Sequence, residues 1–316
     1  MIKSASPLKR PNITIFIIGP TASGKTAVAQ HVAKLLDIEV IICDSMQVYK
    51  DMPILSQATS ADEMANTPYH LNQYLEVSQD FNASEFIKAC DMLIPQIQSK
   101  QKVPLIVGGT GLYYSSLMDG LCEAPEEDLE LRQQLELRAE TEGTQQLHAE
   151  LKLKDPEAAA KIHPNDLKRI IRALEVIHLT GHKFSDLQQN RQGLNDIQKT
   201  FVYGLDWPRA ELYQRINDRV DQMLNEGALD EVKKLGQQTL SRNASHCLGY
   251  QELMNVLNKS KTIDEATAEL KQNTRRFAKR QLTWFRRDER IHWFDMQNTN
   301  VQNAAEFIAA QVDSHV

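Results

Sequence analysis

The sequence predicts an α/β fold: a parallel sheet flanked by helices, interrupted by an all-helical insertion domain. Three observations predict it. Residues 13–44 read strand, helix, strand, with apolar runs at Ile13–Ile18 and Glu39–Cys43 around an amphipathic segment. A βαβ unit implies parallel pairing, with ligands at the C-terminal ends of the strands. Further apolar runs at Val103–Val107 and Thr200–Leu205 extend the sheet, whereas Gly120 to about Lys199 holds no strand-like run. The expected division is therefore a core of residues 1–118 and 200–316 and an insertion of residues 119–199.

The first strand ends in Gly19, Pro20, Thr21, Ala22, Ser23, Gly24, Lys25 and Thr26, which match G-x-x-x-x-G-K-[ST]. This makes the expected core P-loop NTPase-like. Backbone N–H groups of such a loop and the positive end of the next helix cradle phosphate oxygens. Lys25 adds a point charge, and the Thr26 hydroxyl suits magnesium. The motif alone points to a nucleotide such as ATP. The loop itself does not say whether its phosphates belong to a nucleotide.

Each later segment follows. Ala27–Leu36 is the P-loop helix, with Val28, Val32, Leu35 and Leu36 at helical spacing. The second strand ends in Asp44, a carboxylate where a parallel sheet does chemistry. It can be a metal ligand or a general base, and its bland alternative is a cap on the next turn. Asp51–Tyr69 is polar and turn-rich. Asn82 or Ser84 caps a helix over Phe86–Ser99. The third strand runs into Gly108-Gly109-Thr110, two glycines that permit close backbone approach and a hydroxyl beside them. Within the insertion, Asp119–Glu142 carries nine acids and two bases, Arg132 and Arg138, read mostly as a solvated helix face. Lys168, Arg169 and Arg172 instead line positive charge along one helix. Pro208–Glu226 is a helix with Arg215 and Arg219 one turn apart. Lys271–Arg290 holds eight bases and two acids, interrupted by Trp284 and Phe285. His292–Phe294 is a short strand before a terminal helix.

Composition limits the alternatives. The chain has 316 residues, 41% hydrophobic and 25% charged, an ordinary globular balance. No apolar run reaches the roughly 20 residues of a membrane helix, and the basic N-terminal segment before the first strand lacks a cleavage pattern. Cys43, Cys90, Cys122 and Cys247 are widely spaced, which predicts reduced thiols and a cytoplasmic protein. The net charge of −6 repels nucleic acid on average, so an RNA partner needs a local basic patch such as Lys271–Arg290.

Taken together, Gly19–Thr26, Asp44-Ser45, Val107–Thr110, Ile162–Asn165, Arg172–Val176, Gly249-Tyr250 and Lys279–Trp284 resemble the tRNA dimethylallyltransferase family, in order and over nearly the whole chain. The resemblance implies transfer of a dimethylallyl group from dimethylallyl diphosphate to N6 of adenosine 37, in tRNAs that read codons starting with U. It implies Asp44 as general base, Thr110 as its catalytic neighbour and Arg219 as a diphosphate contact. Magnesium would be held through Thr26. The tRNA anticodon stem-loop would meet Asp44, Ser45, Met46, Gln47, Thr110 and Arg132. Further implied contacts are Lys168, Arg169, Ile170, Ile171 and Arg172, then Cys247, Leu248, Gly249, Tyr250 and Gln251. The last group is Lys279, Arg280, Gln281, Leu282, Thr283, Trp284, Phe285 and Arg286. A monomer is expected. The chain lacks the zinc finger of eukaryotic members, which points to the bacterial type, and His246 stands where many relatives carry arginine. On the motif alone, a small-molecule kinase is the alternative.

Overall fold

A computed structural model describes residues 12–64, 67–121, 124–189 and 191–315, the Gln189 side chain excepted. The basic N-terminal segment, Cys122 and Glu123 lie outside the described residues. Two compact units make up the chain: Met1–Leu117 with Ile197–Val316, and Met118–Asp196.

In the first unit, β1 (Ile13–Ile18), α1 (Lys25–Leu35) and β2 (Ile38–Cys43) form the expected βαβ unit. The turn-rich stretch holds two short helices, α2 (Pro53–Ser56) and α3 (Ala61–Met64), and a two-residue strand, β3 (Tyr69–His70). Then come α4 (Ala83–Ser99), capped by the Asn82 side chain on Ser84 N–H and Glu85 N–H, β4 (Val103–Gly108) and α5 (Gly111–Asp119). The second unit holds helices and no strand among its described residues: α6 (Leu129–Glu142), α7 (Thr144–Lys154), α8 (Pro156–Lys161), α9 (Leu167–Thr180), α10 (Phe184–Gln189) and α11 (Leu194–Ile197). The first unit resumes with β5 (Lys199–Asp206), α12 (Arg209–Asn225), α13 (Ala228–Leu235), α14 (Tyr250–Leu257), α15 (Ile263–Phe285), β6 (Ile291–Asp295) and α16 (Val301–Asp313).

The six strands pair in the order β3-β2-β4-β1-β5-β6, all parallel. Both faces are covered, so β1, β2 and β4 are buried at every residue and read as unbroken apolar runs. Ile13, Ile15 and Ile17 pack with Val28 and Val32 of α1 and with Ala304, Ala305 and Ile308 of α16. From the other face, Phe16 meets Tyr114 edge-on at 5.6 Å, and Tyr114 meets Phe285 of α15 at 5.8 Å.

Register places the site. Ile18 of β1 and Cys43 of β2 both pair with Gly108 of β4. The three strands therefore end level, with the Gly109-Thr110 turn between the loop after β1 and the loop after β2. A Cβ on Gly108 would lie 2.0 Å from the Cys43 carbonyl oxygen, so only glycine permits this pairing.

Candidate active site

The loop from Gly19 to Gly24 leaves β1 with three residues at positive φ: Gly19 at 150°, Ala22 at 63° and Gly24 at 94°. Gly24 caps α1 without a side-chain hydrogen bond, so the first-turn N–H groups of α1 remain for an anion. Lys25 is the first residue of α1. Its Nζ donates to the carbonyls of Gly19 (3.1 Å) and Pro20 (2.7 Å). Ser23 Oγ is buried with no hydrogen-bond partner, and Thr26 stands partly buried in the first turn. Both are hydroxyls set in a polar cradle.

Four side chains from elsewhere brace this loop. Trp207, just after β5, donates its indole N–H to Ser23 O at 3.0 Å. Arg215 of α12 lies 4.4 Å over the Trp207 ring and donates through Nε to Ala22 O at 2.8 Å. Gln281 of α15 accepts from Thr21 N–H (2.9 Å) and donates to Gly109 O (2.9 Å), which ties the phosphate loop to the β4 turn. Arg219, one turn beyond Arg215, donates to Thr21 Oγ1 (3.3 Å) and to Gln57 Oε1 (2.6 Å).

Across the β4 turn, Asp44 Oδ1 accepts from Met46 N–H (2.9 Å) and Gln47 N–H (3.3 Å). Thr110 Oγ1 accepts from Ser45 N–H at 3.1 Å, which leaves the Thr110 hydroxyl hydrogen to donate elsewhere. Asn243 Nδ2 donates to Ser45 O (3.0 Å) and Phe81 O (3.1 Å), so the Asp44 loop is fixed from a third side.

The electrostatics of this group are unusual. Burial pushes the Asp44 carboxyl up, against the pull of the two loop N–H groups and of Lys25 and Arg219. Burial, then the Arg219 charge, brings Lys25 down to about 8. Burial brings Arg219 down to about 10. Two cations and one anion share a partly desolvated space, and the described residues place no carboxylate at ion-pair distance from either cation. Such a cluster is poised for a polyanion rather than for its own neutralisation. Burial pushes the Cys43 thiol up as well, so it stays protonated.

The residues expected at an RNA surface divide sharply. On α15 and the turn that follows it, Arg276, Lys279, Arg280, Thr283, Arg286 and Arg287 are exposed, and those within the helix recur at helical spacing to form a basic face. Among the described residues, Arg286 alone of these cations has an ion pair, to Asp206 at 3.1 Å. Lys168 and Arg169 on α9 and Gln251 on α14 are exposed too. Leu248 and Tyr250 are half-buried around Gly249, which caps α14 at φ 96°. Trp284 packs on the backbone of Gly111, where a Cβ would lie 2.6 Å from the ring.

Other residues expected at that surface lie wholly or partly inside the protein. Ile170 and Ile171 belong to the core of the helical unit with Leu135, Leu147 and Leu151. Cys247 and Phe285 are interior, Leu282 packs against Leu212 and Ile216, and Gln281 spends both amide atoms inside the protein. Arg132 and Arg172 both reach a buried carboxylate. Arg132 makes two bonds of 2.8 Å to Glu175, and Arg172 adds one of 2.6 Å. Glu175 is fully buried, which explains why both guanidinium groups are held. Arg132→Ala is expected to cost about 3 kcal/mol, because it strips a buried carboxylate of its bidentate partner. Thermal unfolding checks this, together with tRNA affinity measured below the transition, which should stay unchanged.

Sequence reasoning missed Gln57, Trp207 and Asn243. Trp207 alone carried a signal, its place just after a strand of a parallel sheet.

Residues 47–288 match the protein family described as IPP transferase. The chain is 43% identical over 285 residues to a tRNA dimethylallyltransferase of Halothermothrix orenii, covering 89% of this chain and 87% of that one. Among solved structures, the full-length tRNA isopentenylpyrophosphate transferase of Bacillus halodurans is 38% identical with a TM-score of 0.71, covering 96% and 98% of the two chains. A eukaryotic dimethylallyltransferase acting on tRNA is 27% identical with a TM-score of 0.80, covering 96% of this chain and 80% of its own.

Proposed function

The chain belongs to the IPP transferase family of tRNA dimethylallyltransferases, and from that premise we propose that it moves a dimethylallyl group from dimethylallyl diphosphate to N6 of adenosine 37, beside the anticodon, in tRNAs that read codons starting with U. The observation that carries the chemistry is the level ending of β1, β4 and β2, which sets an anion cradle and a buried carboxylate on either side of one turn.

The adenine amino nitrogen attacks C1 of the prenyl group, and the C1–O bond to the diphosphate breaks. The N6 proton passes to Asp44, and diphosphate leaves. Asp44 suits this role because burial raises its proton affinity while its other contacts keep it oriented. The Thr110 hydroxyl, fixed by Ser45 N–H, donates toward the reacting groups. Lys25, Arg219 and the first-turn N–H groups of α1 take the charge that builds on the departing oxygens. Thr26 and Asp44 offer hard oxygen donors, and no cluster of three His, Cys, Asp or Glu exists among the described residues. That donor set fits magnesium held largely by substrate phosphates and water. When bound, the ion would neutralise leaving-group charge.

The target base must leave its stack to reach Asp44, with Ser45, Met46 and Gln47 around it. The basic face of α15 is the proposed phosphate track, with the helical unit, through Lys168 and Arg169, gripping the anticodon stem-loop. A monomer and a cytoplasmic location complete the reading. No helix among the described residues is long and apolar enough to cross a membrane. With the family established, no observation favours the small-molecule kinase.

Radiolabelled dimethylallyl diphosphate, magnesium and unmodified tRNA test the reaction. Label on the adenosine 3′ of the anticodon is expected, and label on any other nucleotide overturns the site assignment. Arg280→Glu should weaken tRNA binding and lower the slope of log affinity against log salt by about 1. An unchanged slope would remove Arg280 from the phosphate track.

A further inference from the structure

We propose that Gln57 is a positioning residue for the prenyl donor, a neutral tether that orients the Arg219 guanidinium without cancelling its charge. The inference rests on the reading that the loop receives a diphosphate. It starts from a contrast. Of the other arginines, Arg275 meets the amide oxygen of Asn217 at 2.6 Å, but Arg132, Arg138, Arg172 and Arg286 meet carboxylates. Arg219 has an amide and a hydroxyl instead: Gln57 Oε1 at 2.6 Å from Nε and Thr21 Oγ1 at 3.3 Å from Nη1.

Gln57 is itself held at several points. Its Nε2 donates to Ile54 O at 2.7 Å. Its backbone ends α2 at φ 53°, a left-handed conformation that is unfavourable for a non-glycine residue. The start of α2 is anchored by Glu231, whose carboxylate accepts from Ile54 N–H (2.9 Å) and Leu55 N–H (2.8 Å). The Gln57 carbonyl oxygen is thus presented from a fixed base. A guanidinium is planar and rigid, so holding Nε sets the plane of the whole fork. A neutral acceptor offsets the desolvation of one N–H and leaves the full positive charge for an anion. A carboxylate in the same place would pair with Arg219 and neutralise it.

The test uses the full chain with two variants. Gln57→Glu introduces that carboxylate. Gln57→Asn keeps an amide and tolerates the left-handed backbone, but its side chain is one methylene too short. Titration calorimetry with inorganic pyrophosphate and magnesium reads the anion site without turnover. Gln57→Glu is expected to weaken pyrophosphate about tenfold or more, with unchanged tRNA affinity. Gln57→Asn should raise KM for the donor more than it lowers kcat. Wild-type affinity in Gln57→Glu overturns the proposal. So does a fall in melting temperature and kcat with pyrophosphate affinity unchanged, because that marks Gln57 as merely structural. A wild-type protein that fails to bind pyrophosphate overturns the diphosphate reading itself, and is told apart by needing no variant.

Discussion

Asp44→Asn is expected to lose about 10²–10⁴-fold in single-turnover transfer rate while tRNA affinity stays within a few-fold. The variant isolates proton acceptance. An asparagine Oδ1 still accepts from Met46 N–H and Gln47 N–H, so the loop keeps its shape. What disappears is a group able to take the N6 proton and to raise electron density on a weak nucleophile. Quenched single-turnover reactions with saturating enzyme separate this from product release. A rate within threefold of wild type would remove Asp44 as the base.

The pH dependence of donor kcat/KM is expected to be bell-shaped, and Lys25→Met should remove its alkaline side. The signs follow from the burial of each group. Asp44 acts when deprotonated, and burial raises its proton affinity, so the rate climbs with pH through a value above the usual carboxylate range. Lys25 acts when protonated, and burial with the Arg219 charge brings it down to about 8, so the rate falls as pH rises through that region. The bound diphosphate favours the ammonium, so the alkaline fall belongs to kcat/KM, which reports free enzyme, and moves to higher pH in kcat. Lys25→Met should also lower donor kcat/KM by about 10²–10³-fold, the scale of one lost donor to developing negative charge. A profile that keeps its alkaline fall near pH 8 in Lys25→Met would assign that fall to another group.

What the sequence disclosed depended on distance along the chain. The phosphate loop lies within eight consecutive residues, and Asp44 and Thr110 sit directly after apolar strands, so local pattern was enough to find them. The contacts that finish the site join residues far apart: Thr21 with Gln281 across 260 positions, and Arg219 with Gln57 across 162. No periodicity encodes such a meeting. The RNA surface was legible as charge and illegible as orientation. Counting bases over Lys271–Arg290 located α15, but only the packed helix shows that Lys279 and Arg280 face out while Gln281 and Phe285 face in. The pairing of Arg132 and Arg172 was hidden for the same reason. Their partner, Glu175, is an ordinary acid in an acidic region until folding buries it.

The absence of carboxylates at ion-pair distance from Lys25 and Arg219, among the described residues, also bears on the life of the folded chain. An apoprotein that keeps two desolvated cations together carries a repulsion that its prenyl donor relieves. By mass action, a ligand present at 100 times its dissociation constant adds about 2.7 kcal/mol to folding stability. The donor therefore acts as a conformational ballast as well as a reactant. Melting temperature is therefore expected to rise with pyrophosphate concentration, and a melt that ignores pyrophosphate would count against the relief of that repulsion.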